Sequence, residues 1–415
     1  MQIYQLALQH DATYRTAKGV RDAATENLPI ARSQLLPELG VLGNLERVHE
    51  DVRDTPSGVA GDDQDQAYGS RFLALQLSQA LYRRDYWYQL EQADREVAKA
   101  EAEFQVAGQD LIIRAAQAYF KVLSTQDELE FAEAEMKAVG RQLDQAKQRF
   151  EVGLIAVTDV YEAQAAYDQS RANVIQGKNA VSTAWEALYE IVSENVEMLS
   201  PLKKSIPLDP PEPADIDAWR DMSQQNNLSI RAATYEREIA LKEIDVQRSG
   251  HYPDLDIVGS YAYNRSGRFN NLDTNTGRIG VQLNMPLYTG GGVNARTRQA
   301  GFNLEAAQDR LDGQRRAVVR QVRDAYRGVM DTISGLEALR AGVVSAEGSL
   351  QATSAGFEVG TRTIIDVLGS ERDLFLARSR YAMTRYTYIL QGLLLKQAEG
   401  SLSVEDLKQV NTLLQ

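Results

Sequence analysis

The chain repeats itself at a spacing of about half its length. Residues 150–160 read FEVGLIAVTDV and residues 357–367 read FEVGTRTIIDV, with six of the eleven positions identical at an offset of 207 residues. Two further pairs of segments recur in the same order, namely LPELGVLG (36–43) with YPDLDIVG (252–259) and LQLSQALY (75–82) with VQLNMPLY (281–288). This spacing is much longer than the roughly 20 to 50 residues of solenoid repeats. We therefore predict two copies of one large supersecondary unit.

Composition excludes several classes of function. The formal net charge of −13 over 415 residues disfavours a nucleic-acid partner. The absence of cysteine excludes disulfides and cysteine metal sites, and the three histidines are too dispersed to suggest a metal centre. No metalloprotease, serine-nucleophile or paired-carboxylate motif is present. We therefore predict no enzyme activity, no cofactor and no bound metal.

Two long tracts are free of proline, and both carry a heptad repeat. No proline lies between Pro56 and Pro201, and none follows Pro286; a proline inside a helix costs about 3 kcal/mol. Apolar residues recur every seven positions at Val122, Leu129, Met136, Leu143 and Phe150, and again at Val322, Val329, Leu336, Val343, Leu350 and Phe357. This period predicts long helices that pack like coiled coils.

Stretches of strict alternation lie before each helical tract. In 278–288 apolar residues occupy the odd positions from Ile279 to Leu287, with Gln282 and Asn284 between them. Alternation with period two predicts strands with one apolar face, and each stretch has the roughly ten residues that a tilted membrane-spanning strand needs. We predict four strands, at about 36–47, 70–82, 253–264 and 277–288.

Each copy is thus predicted to run helix, strand, strand, long helix, turn, long helix. The first copy spans 1–198 and the second 214–400, with a proline-rich joint at 199–213 and a tail at 401–415. The predicted helices are 2–31, 85–151 and 159–197 in the first copy, and 215–249, 293–358 and 364–399 in the second. The Val-Gly pairs at 152–153 and 359–360 are expected to end the first long helix of each hairpin.

Four strands require an oligomer if the sheet lies in a membrane. An open sheet edge in lipid leaves backbone groups without partners, at several kcal/mol each. A dimer would give eight strands and a barrel filled by side chains, whereas a trimer would give twelve strands and room for a pore. We favour the trimer, in which a twelve-stranded transmembrane β-barrel continues into a cylinder of twelve helices. The predicted fold class is therefore mainly α with a β-barrel part.

The chain resembles the TolC family of trimeric outer-membrane channel-tunnels. The resemblance rests on VGLIAVTDV (152–160), VGTRTIIDVL (359–368), QLDQAKQRF (142–150), AYFKVL (118–123), ARSQLLPELG (31–40) and LYTGGGVN (287–294). It covers essentially the whole chain and implies a Gram-negative outer-membrane protein whose helical tunnel lies in the periplasm. The implied function is export of small molecules or proteins with a periplasmic adaptor protein and an inner-membrane pump, either ABC-type or proton-driven. Since no basic and apolar leader follows Met1, we expect the signal peptide to be absent already.

The resemblance also implies a gate at the two helical turns. Arg362 matches the gating arginine of the family, Asp159 matches its partner on the neighbouring hairpin, and Thr158 lies beside Asp159. Phe357 stands where the best-known member has a tyrosine, so one gate hydrogen bond has no hydroxyl here. Asp366 matches one of two acidic rings that constrict the pore, whereas the position of the second ring is Gly369.

The same turns match the segments that the family presents to the helical hairpins of adaptors. The implied contact residues are Val152, Gly153, Leu154, Val359, Gly360 and Thr361. Glycine allows a partner helix to approach the backbone closely, and the aliphatic neighbours supply surface that a partner can bury.

Each of these assignments has a simpler alternative. The alternative for Arg362 is a solvated arginine at the start of a helix. The alternative for Asp159 and Asp366 is a role as helix caps. For the whole chain, the alternative function is a soluble periplasmic coiled-coil adaptor or scaffold, although an adaptor is expected to have one long hairpin rather than two. An enzyme is the least favoured class.

Overall fold

The structure is a computed structural model that describes residues 1–52, 64–266 and 272–415. These ranges contain ten helices and four strands. In chain order they are α1 (Gln2–His10), α2 (Ala12–Thr25), α3 (Asn27–Ser33), β1 (Glu38–Val52), β2 (Gln64–Tyr82), α4 (Arg84–Glu151), α5 (Val157–Val192), α6 (Ile216–Asn226), α7 (Leu228–Ser249), β3 (Asp254–Ser266), β4 (Leu272–Asn284), α8 (Gly292–Glu358), α9 (Ile364–Glu399) and α10 (Val404–Thr412). Every helix in the described ranges is too short or too polar to span a lipid bilayer.

The chain forms two compact units, and both sequence copies contribute to each of them. The first unit comprises Met1–Val20, Ala102–Arg231 and Asp312–Gln415, and the second comprises Arg21–Glu101 and Ala232–Leu311. The first unit contains both helical turns, and the second contains the four-stranded sheet. The copies at 1–198 and 214–400 are therefore units of sequence rather than separate compact bodies.

Four helices are long because their sequences lack proline and keep the heptad spacing. α4 has 68 residues and α8 has 67, while α5 and α9 have 36 each. Heptad residues such as Val122, Leu336 and Val367 are fully buried. α5 ends at Val192 rather than at the predicted 197, because Ser193 adopts a left-handed backbone conformation with φ of 50°.

The segment 2–31, predicted as one helix, is corrected by the structure to three helices. Asp11 separates α1 from α2 with an extended backbone, ψ being 119°. Its N–H still donates to the Ala7 carbonyl (2.9 Å), and its carboxylate accepts a hydrogen bond from the Tyr14 N–H (2.6 Å), so Asp11 ends α1 and caps α2. Hydrophobic periodicity does not reveal such a break, because it does not distinguish a helical aspartate from a capping one.

The segment 215–249 is likewise corrected from one helix to two, α6 and α7. Asn227 stands between them with ψ of 123°, and its side-chain oxygen accepts hydrogen bonds from the N–H groups of Ser229 (3.0 Å) and Ile230 (3.2 Å). Asn227 follows Asp11 by 216 residues, which is also the offset between 36–43 and 252–259. The capped break therefore belongs to the repeated unit.

The four strands form one antiparallel sheet in the order β1-β2-β3-β4. β1 and β2 extend beyond the predicted ends at 47 and 70, because their pairing continues as far as Val52 opposite Gln64. β4 begins at Leu272 and ends at Asn284, whereas the prediction was 277–288. Pro286 lies just beyond this end, where its lack of an N–H removes no ladder hydrogen bond.

The register of the sheet collects apolar side chains on one face. Val41 lies opposite Leu75, Leu75 opposite Tyr261, and Ile257 opposite Val281; residues directly opposite each other share a face. The large exposed side chains on this face are Leu39, Val41, Leu45, Leu73, Leu75, Tyr261, Ile279, Val281 and Leu283. A contiguous apolar surface of this kind indicates contact with a membrane or another protein.

The core of the first unit joins both hairpins to the C-terminal segment. Its buried residues include Leu111, Val122, Leu188, Ile389, Leu393 and Leu407. The segment 401–415, predicted only as a tail, contains α10, whose first turn is closed by a capping box between Ser403 and Asp406. Leu414 then pairs with Leu202 in an isolated β-bridge, so the proline-rich joint is fixed to the end of the chain.

Candidate gate and docking turns

The first turn, Val152 to Leu154 between α4 and α5, is closed by a left-handed glycine. Gly153 has φ of 76° and donates its N–H to the Phe150 carbonyl (2.8 Å), and the Leu154 N–H donates to the Arg149 carbonyl (2.9 Å). This pair of bonds is the Schellman motif. Val152 and Leu154 are 69% and 72% exposed. A Cβ atom added to Gly153 would meet nothing within 4 Å, so the backbone of this turn is open on the surface of the chain.

The second turn, Val359 to Thr361 between α8 and α9, repeats this geometry. Gly360 has φ of 79° and donates to the Phe357 carbonyl (3.1 Å), and the Thr361 N–H donates to the Gly356 carbonyl (2.8 Å). Val359 is 75% exposed. The six residues expected to contact an adaptor therefore form two matching exposed turns, each with a glycine at its centre.

Arg362 is positioned by the backbone at the end of α8. Its N–H donates to the Gly356 carbonyl (3.2 Å), and a Cβ atom on Gly356 would lie only 2.7 Å from the Arg362 Cγ atom. Even an alanine at 356 would therefore displace the arginine. The Arg362 side chain is exposed, and in the part of the chain that the structure describes, no hydrogen bond or ion pair joins it to Asp159.

Thr158 and Asp159 lie inside the first turn of α5. The N-cap of α5 is Ala156, and the Asp159 N–H donates to the Ala156 carbonyl (3.1 Å). The alternative that Asp159 itself is the N-cap is wrong, because the helix has already begun at Val157. The half-buried Asp159 carboxylate is instead placed where the helix dipole favours negative charge.

Asp366 forms a capping box with Thr363 at the start of α9. The Thr363 N–H and hydroxyl both donate to the Asp366 Oδ2 atom (2.9 Å each), and the Asp366 N–H donates to the Thr363 Oγ1 atom (3.3 Å). These bonds lower the pKa of Asp366 below its usual value, and the positive charge of Arg362 lowers it further. The N-cap is thus Thr363, and Asp366 supports the cap as its N3 partner while its carboxylate stays partly exposed and charged, as a constricting ring would require.

Phe357 is buried rather than exposed in the turn. Only 8% of its surface is accessible, and it packs in a cluster with Ile364 and Val367. The guanidinium carbon of Arg149 lies 4.4 Å from the centre of its ring, within the range of a cation–π interaction. Sequence analysis missed Arg149, because this contact exists only once α4 and α8 are brought together.

Sequence analysis also missed a buried carboxyl group on α9. Glu371 is 7% exposed, and its Oε2 atom has no hydrogen-bond partner. Burial raises the pKa of Glu371, while the charge of Arg141 lowers it and that of Glu135 raises it. The signal was present in the sequence, since Glu371 follows Val367 by four residues and precedes Leu374 by three, which is core spacing.

The carboxylates near the turns are not arranged as metal ligands. Within the described ranges, no three His, Cys, Asp or Glu side chains are placed to share a metal ion. Asp366 accepts hydrogen bonds in its capping box, and Asp159 lies on a different helix. These side chains can therefore act through charge and hydrogen bonding.

Comparison with known proteins identifies the family. The family model described as "Outer membrane efflux protein" matches residues 3–194 and 219–401. The two matched segments correspond to the two sequence copies. The chain therefore belongs to the outer membrane efflux protein family.

Relatives extend over almost the whole chain. The outer membrane protein TolC of Vibrio cholerae is 38% identical, across 99% of this chain and 92% of the relative. The outer membrane protein TolC of Escherichia coli is 34% identical, across 100% and 84%. The alkaline protease secretion protein AprF of Pseudomonas aeruginosa is 28% identical, across 98% and 85%. The resemblance to the TolC family is confirmed.

Solved structures share the fold at low sequence identity. The outer membrane protein VceC from Vibrio cholerae has a TM-score of 0.81 at 19% identity, with 96% of this chain and 95% of that chain covered. The Campylobacter jejuni CmeC outer membrane channel has a TM-score of 0.83 at 14% identity, with 100% and 89% covered. The predicted fold class is confirmed.

Proposed function

We propose that this chain is one protomer of an outer-membrane channel that conducts molecules exported by an inner-membrane pump and that closes at its helical turns. The observation that carries the proposal is the combination, in one chain, of an exposed apolar sheet face with two long α-hairpins. An export duct requires both, because it needs a sheet that can face lipid and helices that can enclose a conduit.

The prediction of an outer-membrane channel for efflux and secretion is confirmed by the family match and by the TolC and AprF relatives. The names of these relatives describe an outer-membrane protein and a secretion protein, which supports a location in the outer membrane of a Gram-negative bacterium. The alternative of a soluble adaptor or scaffold is not favoured, since it would leave the apolar face of the sheet in water.

The sheet edges support assembly from several copies, and we propose three. β1 and β4 each have only one neighbouring strand in the described sheet. In a bilayer an unpaired edge costs several kcal/mol for each backbone group, which favours pairing of β4 of one copy with β1 of the next. Three copies supply twelve strands, a barrel wide enough to leave a lumen.

Partner contacts are proposed at the helical turns and at the apolar face of the sheet. The two exposed turns provide aliphatic side chains beside accessible glycine backbone, which suits docking of a helical hairpin from a periplasmic adaptor. The adaptor would link the channel to an ABC-type or proton-driven pump. The apolar sheet face would contact the lipid of the outer membrane.

The test is conductance of the purified full chain in a planar bilayer, with insertion verified by flotation on liposomes. We expect discrete conductance steps. Leu75→Arg, on the apolar face, should abolish insertion, because arginine facing lipid costs about 2–4 kcal/mol at the midplane. Gln76→Arg, on the opposite face of the same strand, should insert and conduct. A wild type that inserts without conducting would overturn the proposal.

Ion selectivity tests the proposed acidic ring. A Cβ atom added to Gly369 would meet nothing within 4 Å, so the site has room for the aspartate side chain of a second ring. Gly369→Asp should increase cation preference and block by divalent cations by roughly two- to tenfold, since three more carboxylates would join those of Asp366 in a narrow passage. The reversal potential in a salt gradient measures this, with Gly335→Asp on α8 as control. Unchanged selectivity in Gly369→Asp would contradict the ring.

A further inference from the structure

A cation–π contact joins the two hairpins near their turns, beside the packing of Leu368 of α9 against Leu143 and Ala146 of α4. The Arg149 guanidinium carbon lies 4.4 Å from the centre of the Phe357 ring. Arg149 belongs to the last turn of α4 in the first hairpin, and Phe357 to the last turn of α8 in the second. Both residues lie in the first compact unit. The contact therefore connects two elements that must separate if the entrance widens by movement of one hairpin against the other.

Both partners are fixed by their local structure. The Arg149 carbonyl accepts the Leu154 N–H (2.9 Å), and the Phe357 carbonyl accepts the Gly360 N–H (3.1 Å). Each residue is therefore part of the Schellman motif that ends its helix. The Phe357 ring is further held by its burial against Ile364 and Val367. A cation–π contact between residues with fixed backbones loses less conformational freedom than one between mobile surface side chains.

The contact arises from a difference between the two sequence copies. At the offset of 207 residues, Phe150 corresponds to Phe357 and Arg149 corresponds to Gly356. Gly356 leaves space for the Arg362 side chain. At the equivalent position of the first copy, the long side chain of Arg149 reaches the second hairpin. Phe150, the counterpart of Phe357, is 43% exposed. The duplicated positions have therefore acquired different roles.

From this geometry we infer that Arg149 and Phe357 form a latch, meaning a contact that holds the two hairpins of one protomer together and favours the closed entrance. The inference rests on the proposed channel function. Phe357 has no hydroxyl with which to form a hydrogen bond, but the face of its ring attracts a cation. The guanidinium of Arg149 uses that surface. Arg149 is thus a positioning residue for closure, separate from the gate proposed at Asp159 and Arg362.

The test is a double-mutant cycle read as mean conductance in planar bilayers. Arg149→Gln removes the charge, and Phe357→Leu removes the ring while keeping an apolar side chain. Each single variant should raise the mean conductance about two- to fivefold, as expected for loss of one partly exposed cation–π contact. The double variant should open no further than either single variant. Phe357→Tyr, which keeps the ring and supplies the hydroxyl that the family's gate uses, should be at least as closed as the wild type.

Lys147→Gln is the matched control, since Lys147 is an exposed cation on the same turn region of α4. It should leave conductance unchanged, which separates the latch from a general effect of charge at the entrance. Circular dichroism melting curves verify that each variant is folded. Additive effects in the double variant, or an equal effect of Lys147→Gln, would overturn the latch.

Failure of the latch is distinguishable from failure of the proposed function. If Arg362→Ala opens the channel while Arg149→Gln and Phe357→Leu do not, the latch is wrong and the channel with its main gate stands. If the wild type and every variant insert but do not conduct, the channel function and the latch are overturned together.

Discussion

Replacement of Arg362 by alanine is expected to raise the mean conductance of the reconstituted channel by about tenfold or more. The Arg362 side chain is exposed at the end of α8, and its backbone is fixed by the bond to the Gly356 carbonyl. Within the described chain its charge acts on Asp366 but forms no ion pair with Asp159, so its hydrogen-bond donors can reach a neighbouring copy. A hydrogen-bonded charge contributes roughly 1.5–3 kcal/mol, and about 1.4 kcal/mol corresponds to a tenfold shift between closed and open states.

Two further variants assign this effect to the proposed pair. Asp159→Asn should open the channel to a similar extent, and its combination with Arg362→Ala should add little, because both remove one interaction. Arg340→Ala, which removes an exposed cation elsewhere on α8, should leave conductance near the wild-type value. A conducting wild type with an unchanged Arg362→Ala variant would keep the channel and place the gate elsewhere.

The long helices and the sheet were accessible from sequence because each leaves a periodic signal. The heptad spacing around Val122 and Leu336 is a direct consequence of packing one helix face against another. The alternation around Ile279 follows from side chains that point to opposite faces of a strand. Neither signal depends on distant parts of the chain, so one sequence was sufficient to predict them.

The breaks within the short helices were not accessible in the same way. Asp11 and Asn227 end one helix and cap the next through side-chain bonds to N–H groups two or three residues ahead. A single Asp or Asn changes the helix propensity of the segment little, and it does not interrupt the spacing of the apolar residues. Only their shared offset of 216 residues suggested that both positions serve one purpose.

The residues of the candidate site likewise fall into those that the sequence predicts and those that only the structure reveals. Gly153 and Gly360 were predictable, because a helix that reverses within a few residues commonly places glycine in the left-handed conformation. The role of Arg149 was not, since its partner Phe357 lies more than two hundred residues away along the chain and the contact depends on how α4 and α8 are placed side by side. Motif matching identifies positions that resemble a family, whereas contacts particular to this chain require the structure.

Glu371 has the second large expected effect, on stability. It occupies a core position of α9 with an unpartnered oxygen, although Leu would suit the heptad there. Burial raises its pKa above the unfolded value, so the folded chain binds this proton more readily than the unfolded chain. The contribution of Glu371 to stability is therefore most favourable below its unfolded pKa and is lost as pH rises through its folded pKa.

Glu371→Leu should accordingly stabilise the protein near neutral pH, by roughly the 1–4 kcal/mol by which replacement of a buried ion pair with apolar residues can stabilise a protein. The gain should shrink as the pH is lowered through the raised pKa of folded Glu371, because the wild-type carboxyl is then increasingly protonated and loses its unfavourable charge. Thermal unfolding of the detergent-solubilised protein, followed by circular dichroism at several pH values, measures both effects.

Glu337→Leu on α8 is the control, because Glu337 is exposed and its replacement should change stability by no more than about 0.5 kcal/mol at any pH. Glu371→Gln should show part of the gain, since it removes the charge but keeps a polar group in the core. If Glu371→Leu were instead less stable at neutral pH, attraction to a cation would have to outweigh the cost of burying the carboxylate. That cation could be Arg141 of the same chain, whose charge already acts on Glu371, or a residue of another copy in the assembled channel. In either case the buried carboxylate would stabilise the protein through an ion pair.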